Sequence, residues 1–239
     1  MRIPILMYHQ IDVPPPRGTP MRGMVVAPSS FAWQMRMLAL LGYRGLSMRD
    51  LMPYLLGQKT GKVAGITFDD GYCNTLDQAL PVLKARGFTA TSYVVSGAIG
   101  GTNAWDAAQG VPAARLMDLA QLRAWLAAGM DVGSHTRDHA DLAKLDEAAA
   151  RAQMVGAKSD LEQALGVAVE HFCYPYGRYL PQQADWAREA GYLTATTVAR
   201  GRVVTTDNLW RLPRVLVSRA THPGYFFLKL VTGYEDRYR

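Results

Sequence analysis

Little in this sequence calls for a special scaffold. Of its 239 residues only two are cysteine, Cys73 and Cys173. They permit one disulfide and are too few for a stapled mini-domain. No apolar run reaches the roughly 18 residues of a membrane-crossing helix, so no stable membrane insertion is expected. Internal repeats, low-complexity tracts and linkers are missing as well. Charged residues are 19% against 49% hydrophobic, which excludes wholesale disorder. The net charge is +6, yet the basic residues do not cluster, and no helix carries a basic stripe. With no zinc-finger spacing either, nucleic acid is not an expected partner, and the surplus charge reads as a solubilising surface. The opening MRIPILMYH lacks an apolar export segment with a small-residue cleavage site. A cytoplasmic location is therefore expected, or an extracytoplasmic one if an export signal has been trimmed away.

What is present is an alternation of short apolar runs with longer amphipathic ones. Strand-like runs fall at 3–9, 63–68, 89–95, 130–133, 169–174, 192–197 and 212–217. Helical patterns fall at 30–41, 74–86, 117–128 and 146–165, with Gly87, Gly129 and Gly166 at the stops. Ser47 and Asp50 form a capping-box pattern before another apolar run. Such alternation predicts a mostly parallel sheet with crossover helices. Seven strands without a linker fit one α/β barrel over 1–239 better than two domains. Two irregular stretches, 12–28 and 96–112, are long enough to suggest function.

Three strand exits carry chemistry. Thr67-Phe68-Asp69-Asp70-Gly71 places two repelling carboxylates together, which a cation or separate roles would explain. Gly71 can break the strand so that both address one site. His135 and His139, four apart, are expected to face the same side of a helical turn, and neutral imidazoles suit zinc and similar metals. Two histidines and one carboxylate leave open positions for water, as a catalytic metal site requires. Phe172-Cys173-Tyr174-Pro175-Tyr176-Gly177 has a proline-fixed turn, cis or trans, that can aim a backbone N–H into the site.

These motifs in this order make the chain resemble the polysaccharide deacetylase family, that is, the NodB homology domain of carbohydrate esterase family 4. Ile5-Leu6-Met7-Tyr8-His9, Phe31, Leu38 and Gly42-Tyr43 are similar to its poly-N-acetylglucosamine deacetylase branch. The resemblance implies a distorted (β/α)7 barrel that removes N-acetyl groups from N-acetylhexosamine units of a glycan or glycoconjugate, releasing acetate. It implies Asp70, His135 and His139 as ligands of a divalent metal, usually zinc, with cobalt, nickel or iron in some relatives. It implies Asp69 as general base and the Tyr176 N–H as an oxyanion donor.

The sequence also departs from the family. Cys173 stands where most relatives have an arginine that orients the base, which leaves Asp69 without an obvious partner. The Leu-x-His motif is not recognisable, and Val217-Ser218-Arg219 takes roughly its place. His9, at the exit of the first strand, is the favoured general acid over His222. Asp185-Trp186 is similar to a fourth family motif, although a helix explains it equally well. Trp105, Tyr174 and Pro175 are candidates for a sugar platform. Two other functions fit less fully: an amidohydrolase for a non-carbohydrate amide, and a carbohydrate-binding barrel that has lost turnover.

Overall fold

The computed structural model describes residues 2–238, with the side chain of Tyr238 left aside. Ten strands occur in chain order: β1 (Ile5–Tyr8), β2 (Gln10–Ile11), β3 (Val25–Val26), β4 (Arg44–Leu46), β5 (Val63–Phe68), β6 (Thr91–Val94), β7 (Asp131–Ser134), β8 (His171–Cys173), β9 (Thr194–Arg200) and β10 (Leu212–Leu216). The helices are α1 (Pro28–Leu40), α2 (Met48–Leu55), α3 (Leu80–Lys84), α4 (Leu119–Ala127), α5 (Glu147–Leu165), α6 (Pro181–Glu189) and α7 (Pro223–Val231).

β5 through β10 pair in parallel order, and β1 pairs with both β10 and β5, closing a seven-stranded barrel. These are the seven strands read from the sequence. The eighth member of the sheet, β4, escaped that reading. It pairs with the first half of β5 while β6 takes the second half. The short β2 and β3 pair with each other inside the irregular stretch that follows β1.

The pleat divides the core in two. One set of side chains, including Ile5, Val63, Tyr93, Cys173 and Leu212, fills the barrel, and Met48, Leu51 and Leu55 of α2 pack with it. The other, larger set, including Leu6, Tyr8, Phe68, Trp125 and Phe172, packs the outer face of the barrel under the helices. Inside, the Tyr93 ring needs a glycine opposite it: a Cβ at Gly133 would lie 2.5 Å from that ring.

Helix boundaries follow local chemistry. Ser47 accepts from the Asp50 N–H at the start of α2. Asp118 and Gln121 form a reciprocal capping box on α4. Gly166 ends α5 in the left-handed conformation. The helix expected over 74–86 is instead a wide turn over Thr75–Ala79 followed by the short α3. Pro81 explains the break, since it has no N–H to continue the ladder.

Asp131, buried at the start of β7, accepts from the Thr91 hydroxyl at 2.7 Å. Burial pushes its carboxyl up to about 6, against smaller opposing pulls from Thr91 and Arg49. A carboxyl raised in the folded state favours folding below its unfolded pKa and loses that advantage as pH rises through about 6. The linked loss is on the order of 3 kcal/mol. Asp131→Asn is therefore expected to melt above the parent protein at pH near 8, with the gap closing toward pH near 4. A gap independent of pH would contradict this.

Candidate active site

The site forms where the barrel strands end. The Asp69 N–H still donates to the Tyr8 carbonyl, so Asp69 continues β5 beside β1. Asp70 and Gly71 then both turn left-handed, at φ 77° and 81°. That double turn brings the second carboxylate round to the same mouth as the first. The expected strand break is therefore made by Asp70 together with Gly71.

His135 extends β7, its N–H donating to the Val94 carbonyl. Thr136 and His139 are left-handed, at φ 66° and 54°. The two histidines thus meet across an irregular loop and not on a helical turn, which corrects the spacing argument. The α5 helix holds this loop. Gln153 accepts from the Arg137 and Asp138 N–H groups, and Arg137 forms a two-point ion pair with Asp160. Among the described non-glycine residues, five have positive φ, and Asp70, Thr136, His139 and Tyr176 all lie here. Such backbone costs of order 1–3 kcal/mol each persist where the surroundings enforce them, and they concentrate at functional sites.

Asp70, His135 and His139 are buried and converge. Asp70 Oδ1 lies 3.4 Å from Nε2 of each histidine. That oxygen is buried and has no hydrogen-bond partner. His135 Nδ1 lies 2.7 Å from the Cys173 carbonyl, an acceptor only, so Nδ1 carries the proton and the Nε2 lone pair faces Asp70. An orphaned carboxylate oxygen between imidazoles oriented in this way fits a divalent cation. Burial alone would raise the Asp70 carboxyl, but the two imidazoles, facing it as proton donors in place of a cation, hold it well below the usual range.

Asp69 has a partner that sequence reasoning missed. Arg214 of β10 reaches across the barrel, with Nη1 and Nη2 each 2.7 Å from one Asp69 oxygen. Its Nε donates to the Thr197 carbonyl at 2.8 Å, Nη1 also to Thr67 Oγ1 at 3.1 Å, and Nη2 also to Cys173 Sγ at 3.2 Å. All five guanidinium N–H groups are thereby used. Burial would raise the Asp69 carboxyl, but Arg214 outweighs it and keeps the net shift downward. Cys173 thus leaves room for an arginine from another strand and takes its last N–H. Cys173→Ala is expected to cost about 1–3 kcal/mol by orphaning that N–H, with Cys173→Ser recovering most of it in a denaturation series.

His9 follows β1, its Nε2 4.0 Å from Asp69 Oδ2. Tyr176 is left-handed (φ 57°, ψ 3°) in the turn after β8, and its ring meets His139 edge-on at 4.6 Å. Trp105 stacks flat on His139, with centroids 4.6 Å apart, so one face of its indole is already taken. Asn103 fixes that loop, accepting from the Ala114 N–H and donating to the Pro112 carbonyl. Two further groups join the site without having been singled out as acting there. Burial, followed by the neighbouring Asp70 charge, raises both the Asp106 carboxyl and the Tyr72 phenol.

Two expected sugar contacts, Tyr174 and Pro175, are overturned, and the remaining candidates, Asp185 and His222, fall outside the site. Tyr174 is fully buried, packed between Phe172 and Tyr179, and its hydroxyl donates to the Trp210 carbonyl. It is a core residue and cannot form a sugar platform. Pro175 is also buried and shapes the turn, and no peptide bond among the described residues is cis. Asp185 is exposed on α6 and paired with Arg188, far from the role of tuning an acid. His222 packs on Tyr225 and lines a separate cavity with Ser29, Trp33 and Arg219. The two cysteines are free thiols.

Comparison with known proteins agrees with this fold. A curated Bacillus subtilis (strain 168) protein, "Putative polysaccharide deacetylase YxkH", is 29% identical over 219 residues, covering 91% of this chain and 72% of that protein. The Streptococcus pyogenes deacetylase PplD, solved in complex with acetate, superposes with a TM-score of 0.83 at 27% identity, over 96% of this chain and 98% of that one. IcaB from Ammonifex degensii shares the fold, with a TM-score of 0.77 at 24% identity over 96% and 97% of the two chains. The model of the polysaccharide deacetylase family matches residues 57–195, a span that holds both aspartates and both histidines and stops short of Arg214. That span is more than half of the chain, and the chain belongs to the polysaccharide deacetylase family.

Proposed function

We propose that this protein hydrolyses the acetamide of N-acetylhexosamine units in a glycan or glycoconjugate, releasing acetate and a free amino sugar. The observation that carries the reading is the buried, unpartnered Asp70 oxygen between two imidazole nitrogens, one residue away from an arginine-held Asp69. PplD was solved with acetate, the acid this reaction would release.

Asp70, His135 and His139 would hold a divalent cation, zinc being the natural choice for two imidazoles and one carboxylate. Such a cation supplies Lewis acidity toward a water and toward the acyl oxygen. Asp69 takes the proton of the attacking water. Its ion pair with Arg214 keeps it charged and fixes its direction. The Tyr176 N–H donates to the oxygen on which negative charge develops. His9 gives a proton to the departing nitrogen, since an amide anion is too poor a leaving group. Trp105 holds the His139 ring in place and offers its remaining face to a sugar.

The binding-only alternative drew support from Cys173. Arg214 removes that support, because the base has its guanidinium from another strand. The test is to offer N-acetylglucosamine oligomers of several linkages, then small non-sugar acetamides, and to measure acetate and free amine together. Equal amounts of both from an oligomer, lost in Asp69→Asn, are expected. Release from the small amides alone would favour the amidohydrolase reading. No release from either would favour a binding role.

A further inference from the structure

Beside the catalytic mouth, three arginines gather where β1 and β10 end. The segment after β10 lies against both the end of β1 and the irregular stretch that follows it: the Val217 N–H donates to the Met7 carbonyl, and the Arg219 N–H to the Gly23 carbonyl at 2.9 Å. Arg219 and Arg22 are therefore neighbours on the rim that also carries His9. Arg22 is half-buried, its Nε pinned to the Pro15 carbonyl at 2.5 Å. Burial, then the charges of Arg219 and Arg17, push its pKa down. Among the described residues no carboxylate pairs with any of the three. Like charges held together without a counter-charge repel, and an anion relieves that repulsion.

Arg219 also lines a cavity of about 280 Å³ with Ser29, Ser30, Trp33 and His222, and Arg22 and Arg17 lie outside that lining. The first turns of α1 and α7 border it, and neither helix has a side-chain cap on its N-terminal N–H groups. Guanidinium forks and helix N-termini both suit phosphate oxygens.

We propose that this rim is a phosphate subsite, in which Arg22 and Arg219, with Arg17 beside them, bind a phosphate group carried by the glycoconjugate next to its acetamido sugar. The inference rests on the deacetylase reading and names its substrate as a phosphorylated glycoconjugate. The acetamide would lie at Asp69 and His9 with the phosphate toward the β1–β10 side.

The test is calorimetric binding of N-acetylglucosamine 1-phosphate and of N-acetylglucosamine to the metal-loaded protein, compared with an Arg22→Gln/Arg219→Gln double variant and with Arg219→Lys. Arg219 is exposed while Arg22 is half-buried and gives up one hydrogen bond to Pro15, so a single Arg219→Gln variant and melting curves accompany the double variant. The phosphorylated sugar is expected to bind about tenfold tighter or more. The double variant should bring the two ligands within about twofold, Arg219→Lys should keep part of the preference, and added salt should erode it. Equal affinities in the parent protein would overturn the proposal. So would a preference that survives in the double variant, because the phosphate would then be bound at the metal ligands. Inorganic phosphate binding as tightly as the sugar phosphate would make the site one for free phosphate and overturn the substrate assignment. Arginine-dependent sedimentation with phosphatidylglycerol vesicles, without a preference between the sugars, would assign the patch to a membrane surface instead. Because these readouts need no turnover, a lack of acetate release would count against the deacetylase reading and not against the subsite.

Discussion

An Arg214→Met variant should lose about 3–5 kcal/mol of folding stability and at least about a hundredfold in acetate release. The reason is the depth of the pair. Arg214 is 1% exposed and Asp69 3%, so removing the guanidinium leaves a carboxylate buried without a counter-charge. The wild-type carboxyl sits below its usual pKa because Arg214 more than offsets burial. A group depressed in this way contributes stability above the unfolded carboxyl pKa, and the contribution is lost as pH falls through the folded value. In the variant, burial is opposed only by the weaker pulls of His9 and His135, so the sign reverses and rising pH penalises folding. Stability across pH should therefore slope in opposite directions in the two proteins over the acid range. Combining Arg214→Met with Asp69→Asn removes the orphaned charge, so it should recover much of the stability and none of the activity. Recovery of activity in that double variant would remove Asp69 from the reaction.

The second large effect concerns the proposed metal ligands. Zinc added at a thousandfold excess over its dissociation constant should stabilise the folded protein by about 4 kcal/mol. Asp70→Asn, His135→Gln and His139→Gln should each lose most of that shift, measured for each variant against its own metal-free melting point. A zinc-induced shift that persists in all three variants would place the cation elsewhere. The neighbouring group of Asp69, His135 and Cys173 is the obvious alternative, although Arg214 already occupies two of its members.

Much of the site was legible because its chemistry is local in sequence. Asp69 with Asp70, and His135 with His139, sit at the ends of apolar runs, and a parallel barrel gathers such ends at one mouth. Arg214 was not legible for the opposite reason. It lies 145 residues from the carboxylate it serves, outside every motif. One signal was available: it is the lone charge in the apolar run 212–217, and a charge on a barrel strand needs an internal partner. Tyr174 could also have been placed by the pleat. Once Cys173 points into the barrel, its neighbour must point out to the helix layer. β4 gave no pattern because it is three residues long with a glycine at its centre. That glycine is needed because a Cβ at Gly45 would lie 2.5 Å from Ile66 and 2.7 Å from the Phe88 ring. The helical reading of His135 and His139 failed because spacing alone cannot tell a helix from a loop whose left-handed residues fold it back.

The most direct test of the account is to titrate the metal-stripped protein with zinc while measuring acetate released from N-acetylglucosamine oligomers. Release should be absent at the start, rise linearly, and level off at one zinc per chain, with His135→Gln flat throughout. Full activity in the stripped protein, or undiminished release by His135→Gln, would contradict the central claim that Asp70, His135 and His139 form the catalytic metal site.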